Sequence, residues 1–323
     1  MFALCIESSH ARGMGHFYRA LNLADGLAKA GLPYTFYLND HAPSLKILVE
    51  RGASHRVVDL EDFTSNWEAS LIQQDSITLW MNDRLDTDVR HAAKVKATGI
   101  PLVTFEDRGT GAAMTDLHIA ALAFDAQERF AGSRLLRGLD CLILNPQISG
   151  YTRLRKGLSS ILVTMGGSDT YGVTIKVVEL LKEMGLTATI VVGPAFMHMA
   201  LLEEVLTEGF TLKRGVPSMI EEFYRHDLAI TGGGITPFEA NASGLACVVI
   251  ANELFEIPVG VALQKLGGSR FAGHHESLML PLFNTDLPLE QMSQAGMRNI
   301  GLQGTQRVIS ALVELVKCTR KCS

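Results

Sequence analysis

The chain has 323 residues, 47% hydrophobic and 20% charged, with a net charge of −5 and a pI of about 6.1. This length exceeds what one hydrophobic core usually serves, and the composition is that of a packed globular enzyme, which excludes a disordered or fibrous chain. The acidic balance and scattered Lys and Arg argue against nucleic acid or an anionic membrane as partner, and no apolar run reaches the roughly 18 residues that a bilayer span needs.

The first predicted strand, Phe2–Glu7, runs through Ser8-Ser9-His10-Ala11-Arg12-Gly13-Met14-Gly15-His16 directly into a helical pattern. Phe17, Ala20, Leu21, Ala24, Leu27 and Ala28 fall on one helical face, and Gly31 closes it. Gly13 and Gly15 let the backbone pass close to a ligand, and the first N–H groups of the helix point into the crevice above the sheet. His16 therefore stands where α/β proteins usually do chemistry. The positive end of the helix disfavours an imidazolium there, which suits an imidazole that accepts a proton. The same pattern also suits a histidine that merely caps or packs. Two standard cradles are excluded: a dinucleotide fingerprint needs a third glycine where Tyr18 stands, and the Gly-Lys-Ser/Thr of a P-loop is missing.

Further strands are predicted at Tyr34–Leu38, His55–Leu60, Ile77–Met81, Leu102–Phe105, His118–Leu122 and Cys141–Leu144. A second series follows at Ile161–Met165, Ala188–Val192, Phe210–Leu212, Leu228–Thr231 and Cys247–Ala251. Strands separated by helical patterns imply βαβ units and parallel sheets. The stretch from Asn145-Pro146 to Gly157 carries Gly150, the basic Arg153, Arg155 and Lys156, and little periodicity. The reading is therefore an N-terminal Rossmann-like domain, 1–148, and a C-terminal one, 149–323, facing each other across a cleft. The last helices, within Leu287–Lys317, are expected to pack back across the hinge.

Two turns in the second half look built for phosphate. Gly166-Gly167-Ser168 follows a strand and supplies flexible backbone plus a hydroxyl before a helix expected near Thr170. The turn Gly232-Gly233-Gly234-Ile235-Thr236-Pro237-Phe238-Glu239 places three costly glycines before a helix whose Pro237 sits comfortably in the first turn. A diphosphate at Gly233, Gly234 and Thr236 would meet free backbone donors. Glu239 suits either a ribose diol or the helix dipole. Asn252 and Glu253, after the strand Cys247–Ala251, either border the same site or serve as turn and cap residues. Five cysteines in separated contexts fit reduced thiols and a cytoplasmic location, and the N-terminus carries no signal-peptide pattern. Cys318 and Cys322, His274-His275, and Asp83, Asp86 and Asp88 all lack metal-ligand spacing, so no metal or other cofactor is expected.

Gly13-Met-Gly-His16-Phe-Tyr-Arg19, Thr164-Met-Gly-Gly-Ser-Asp169 and Gly232-Gly-Gly-Ile-Thr-Pro-Phe-Glu239 together resemble the nucleotide-sugar hydrolases of the pseudaminic acid pathway. They are also similar to the spore coat polysaccharide biosynthesis group and, more distantly, to the GT-B glycosyltransferase that adds N-acetylglucosamine to the peptidoglycan lipid precursor. The resemblance runs from residue 1 to about residue 270. It implies a GT-B fold and hydrolysis of a UDP-linked deoxy-acetamido sugar, with water attacking the anomeric carbon and inverting it. The alternative is a GT-B glycosyltransferase with an alcohol acceptor; a 2-epimerase and a non-catalytic nucleotide-sugar sensor are further classes. In site terms the resemblance implies His16 as the essential residue, with Gly13, Gly15 and Arg19 in its turn. It puts the diphosphate at Gly233, Gly234, Ile235 and Thr236, the ribose on Glu239, and Gly166, Gly167 and Ser168 beside the phosphates. Asn252 and Glu253 would reach the sugar. Where the hydrolases carry Asp-His-Tyr after the fourth strand, this chain has Met81-Asn82-Asp83-Arg84. Asp83 or Asp107 is then the carboxylate that orients His16 or binds sugar hydroxyls.

Overall fold

All strand pairs are parallel, as the alternation of short apolar runs with helices requires. The computed structural model describes residues 1–9, 14–125, 129–278 and 287–322, which divide into two compact units.

The first unit is built on Met1–Ser9, His16–Ile143 and the stretch from Gln303 onward. Its elements are β1 (Phe2–Ile6), α1 (Gly15–Lys29), β2 (Tyr34–Leu38), α2 (Ala42–Glu50), β3 (His55–Val57), α3 (Trp67–Gln74), β4 (Leu79–Asp83), α4 (Val89–Ala97), β5 (Leu102–Phe105), β6 (Leu117–Ala120) and β7 (Leu135–Arg137). They form a seven-stranded sheet in the order β3-β2-β1-β4-β5-β6-β7. The second unit, centred on Leu144–Leu302, contains β8 (Ile161–Thr164), α5 (Val173–Glu183), β9 (Thr189–Val192), α6 (Met199–Val205), β10 (Thr211–Arg214), α7 (Met219–Arg225), β11 (Leu228–Gly232), α8 (Thr236–Ala242), β12 (Ala246–Ala251), α9 (Ile257–Lys265), β13 (Ser269–His274) and α10 (Leu289–Asn299). Its six strands run β10-β9-β8-β11-β12-β13. The central strands β1, β4, β11 and β12 are buried throughout, the mark of sheets covered on both faces.

The last helix, α11 (Gly304–Cys322), belongs to the first unit. Two glycines explain its seat. A Cβ on Gly26, in the middle of α1, would come within 2.8 Å of Thr305 and Ile309, and a Cβ on Gly304 would collide with the Leu142 backbone. Arg307 pairs with Asp140 at 2.8 Å along the same contact.

Several expectations shift. The run Cys141–Leu144 is no strand: Leu139–Cys141 forms a 3-10 turn, and the seventh strand is the more exposed Leu135–Arg137. Its apolar residues are buried next to α11 and not by sheet pairing. The strand β13 was not expected, because Arg270, Gly273 and His274 break its apolar pattern at a sheet edge. The fourth strand starts and ends two residues later than Ile77–Met81, which brings Asp83 to its carboxyl end. In α1 the expected face is buried except Ala28, which is exposed in the final turn. The basic stretch expected to mark the domain boundary is packed at Arg155. The Arg155 guanidinium is buried and donates to the carbonyls of Arg153, Phe223, His226 and Ser243, so it caps the last turns of α7 and α8. Among the described residues, no helix is long and apolar enough to cross a membrane.

Gly304→Ala is expected to cost about 1–3 kcal/mol through forced displacement of α11. A thermal melt reads this as a clearly lowered transition; an unchanged transition would show that α11 does not rest on Leu142.

Candidate active site

Parallel pairing with Ile6 opposite Asp83 brings the ends of β1 and β4 side by side. The chain leaves β1 and enters α1 at Gly15, so His16 lies in the helix's first turn. Its Nδ1 is 2.6 Å from Asp83 Oδ1. Arg19, one turn further along the same helical face, donates Nε–H to Asp83 Oδ2 at 2.8 Å and Nη2–H to Oδ1 at 2.5 Å. The side chains of His16, Asp83 and Arg19 are 12%, 6% and 4% exposed. Burial alone would push the Asp83 carboxyl up, but the Arg19 and His16 charges more than offset it and hold the group below the usual carboxylate range. Of Asp83 and Asp107, Asp83 is the carboxylate in contact with His16. Asp107 instead accepts backbone N–H groups from Thr87 at 3.0 Å and Gly109 at 2.8 Å, which ties together the loops after β4 and β5. Arg19, expected on the ligand side of the turn, is buried with its guanidinium turned to Asp83 and Glu106. Gly13 lies outside the described residues.

Behind Asp83 the neighbouring strand residue is fixed as well. Asn82 Oδ1 accepts the Trp80 indole N–H at 2.9 Å and contacts His91 Nε2 at 3.2 Å, while His91 Nδ1 meets Glu68 at 2.9 Å. Every one of these groups is buried. Asp88, which the sequence places at a helix start, is the N-cap of α4 and accepts the Arg90 N–H at 2.7 Å.

In the second unit the glycine turns converge at the carboxyl ends of β8, β11 and β12. Gly166 has φ +92°, in the region that favours glycine. Gly193, after β9, approaches the Gly166-Gly167 backbone so closely that any Cβ on it would collide. The helix α5 starts at Val173, not near Thr170, and Asp169 caps it by accepting from Val173 N at 2.8 Å and Thr174 N at 2.9 Å. Ser168 is buried beside this cap, 3.4 Å from the Thr170 hydroxyl.

Two glycines of the triple-glycine turn are set by their neighbours. A Cβ on Gly232 would lie 2.9 Å from the Asn252 amide, and one on Gly233 would lie 2.7 Å from Glu256 Cβ. Gly234 faces open space. Ile235 and Thr236 follow, half-buried, as α8 begins. Glu256, which the sequence groups with Asn252 and Glu253 as an acidic strand-end residue able to contact a sugar, instead binds these pieces together. Its carboxylate accepts from Asn252 N at 2.7 Å and from Gly233 N, and it completes a capping box with Glu253. Glu253 also accepts the Tyr171 hydroxyl at 2.7 Å, and Tyr171 stacks on His275 with centroids 4.6 Å apart. The turns after β11 and β12 are thus joined side chain to backbone, and those after β8 and β13 are joined to them through the Tyr171 side chain. The capping box forms with Glu253 at the N-cap, where Ser or Thr is usual, so the spacing alone did not announce it.

Glu239 is half-buried one turn into α8 and accepts the backbone N–H of Asn145 at 3.0 Å. Burial pushes its carboxyl up to about 7, against a weaker opposing pull from that N–H. Among the described residues, no cluster of three or more His, Cys, Asp or Glu could hold a metal ion.

No family model matches the chain. The spore coat polysaccharide biosynthesis protein SpsG of Bacillus subtilis is 26% identical over 271 residues, 76% of this chain and 75% of that protein. An uncharacterized protein of Methanocaldococcus jannaschii is 24% identical over 343 residues, 98% of this chain and 67% of that one. Among solved structures, MurG of Acinetobacter baumannii superposes with a TM-score of 0.68 at 13% identity, over 97% of this chain and 99% of that one. The glycosyltransferase VinC in complex with dTDP gives 0.64 at 13% identity, over 98% and 100%. The chain therefore has the α/β fold, with two sheets of parallel strands, of the GT-B glycosyltransferases.

A raised carboxyl such as Glu239 stabilises the fold fully below its unfolded value of about 4.5, and that contribution is lost as pH rises through about 7. Glu239→Gln removes the titration. The melting temperature of the parent chain is expected to fall relative to the variant between pH 5 and pH 7.5; a difference that does not change with pH would contradict this.

Proposed function

We propose that the chain is an enzyme of nucleotide-sugar chemistry, a GT-B-type glycosyltransferase of polysaccharide biosynthesis that moves a sugar from a nucleoside diphosphate to an alcohol. The observation that carries this reading is the buried contact between His16 and Asp83 at the start of α1, in a chain that shares its fold with VinC and MurG. The first unit supplies the base. His16 Nε2 takes the proton of the acceptor hydroxyl as that oxygen bonds to the anomeric carbon. The bond from the same carbon to the diphosphate breaks, the nucleotide leaves with the electron pair, and a single displacement inverts the centre.

The second unit supplies the nucleotide site. Backbone N–H groups of Gly234, Ile235 and Thr236 and the Ser168 hydroxyl meet the charge that grows on the leaving diphosphate, while the Gly233 N–H, expected there, is already given to the Glu256 carboxylate. Glu239, with its carboxyl raised toward neutrality, takes the ribose hydroxyls. Asn252 and Glu253 reach toward the sugar, and UDP is the nucleotide tried first. SpsG, named for polysaccharide biosynthesis, and VinC, a glycosyltransferase, support transfer over the hydrolysis that the sequence motifs put first. Water in place of the alcohol would make the same site a hydrolase, so the assay separates the two.

The purified chain is incubated with UDP-, dTDP-, GDP- and CMP-sugars, with and without glycerol and N-acetylglucosamine as trial alcohols, and free nucleotide is followed by chromatography. Transfer predicts release that rises with an alcohol and yields a glycoside. Release indifferent to alcohol, with free sugar as product, replaces transfer by hydrolysis; no release from any donor removes the enzymatic reading. His16→Ala is expected to lower turnover about 10²-fold or more while UDP binding stays nearly intact. Unchanged turnover in that variant would take His16 out of the mechanism.

A further inference from the structure

The heavy-atom distance between His16 Nδ1 and Asp83 Oδ1 leaves open which atom carries the proton. The surroundings decide it. A guanidinium has five N–H donors and no acceptor, so both Arg19 contacts must be donations into the Asp83 carboxyl, one to each oxygen. A charged guanidinium fork on both oxygens favours the ionised carboxylate, which has no proton to give. The remaining partner at 2.6 Å therefore donates, and that partner is His16 Nδ1. The Arg19 Nη2 to His16 Nδ1 distance of 3.1 Å is a contact between two donors and no bond.

Arg19 is itself held from its other side. Nη1 lies 3.7 Å from Glu106 Oε1, which also accepts the Leu122 N–H at 2.9 Å, and the guanidinium sits 5.4 Å from the centre of the Phe105 ring. Glu106 reaches this position from a left-handed backbone with φ +49°, a conformation that non-glycine residues rarely adopt. The charged and titratable groups around this carboxyl are Arg19 from α1, Asp83 from β4, Arg108 from its own loop, and Cys141 from the 3-10 turn.

We propose that Arg19, seated between Asp83 and Glu106, is a positioning residue that fixes the tautomer of His16 with the proton on Nδ1 and the lone pair on Nε2. The proposal rests on the reading of His16 as the base, because only that tautomer leaves Nε2 able to take a proton from a hydroxyl. A lysine keeps the charge but cannot bridge both Asp83 oxygens, so Arg19→Lys is not a conservative change here. It should free the imidazole to exchange tautomers and rotate.

The test needs no substrate. The full chain, labelled with ¹⁵N, is examined at pH 8 by long-range proton–nitrogen correlation, and the His16 signals are identified by their loss in His16→Gln. The expected spectrum shows a protonated Nδ1 and a bare Nε2. In Arg19→Lys the two nitrogens are expected to become averaged or exchanged. With the nucleotide sugar turned over fastest in the donor panel, kcat should fall about 10²-fold while KM stays within about threefold. A parent spectrum with Nε2 protonated as the major form, or an Arg19→Lys variant that keeps the parent tautomer, overturns the proposal. Should Arg19→Lys fail to fold, the parent spectrum alone decides. A panel in which no donor turns over defeats the functional reading and leaves the tautomer result standing.

Discussion

A single buried carboxylate, Asp83, is the point from which the first unit's chemistry is arranged. Three donors from one helix converge on its two oxygens, and each arrives because of an earlier constraint. Pairing of β1 with β4 in register puts Asp83 at the edge where the chain turns into α1. The three-residue spacing of His16 and Arg19 then puts both on the face of α1 that looks at it. An ionised acid taken out of water would be costly alone; the guanidinium fork offsets that cost and keeps the acid charged. The imidazole inherits a fixed direction from the same arrangement, since it cannot accept from Asp83 and must donate.

The second unit is organised by backbone and not by charge. Its glycines occur where chain passes chain: Gly193 against Gly167, Gly232 against Asn252, Gly233 under Glu256. Gly234 keeps an open side, and it stands close to Thr236 at the start of α8. The carboxylate of Glu256 and the hydroxyl of Tyr171 tie the surrounding turns, so their N–H groups are held in place before any ligand arrives. Preorganised donors of this kind stabilise developing charge without reorganisation at the moment of reaction.

Much of this was legible from residue order. Parallel sheets followed from the alternation of apolar runs with helices, and the helix that begins beside His16 followed from the amphipathic pattern Phe17 to Leu27. What escaped were features set by distant parts of the chain. The apolar run Cys141–Leu144 imitates a strand but is buried by α11, more than 150 residues later in sequence. Strand β13 forms at an edge, where pairing with β12 replaces the missing apolar pattern. Arg19 read as a ligand-facing cation because nothing local shows that Asp83 and Glu106 lie against it. Glu256 read as a sugar-contacting acid because nothing local shows that the Gly233 and Asn252 N–H groups lie against it.

The most direct test of the central claim is the turnover of Asp83→Asn, which keeps the shape of the side chain and removes its charge. Turnover of a nucleotide sugar is expected to fall by about 10²-fold or more, while calorimetry shows the affinity for UDP unchanged. A variant as active as the parent chain would mean that the carboxylate serves only to hold the fold together, and that the chemistry assigned to His16 lies elsewhere.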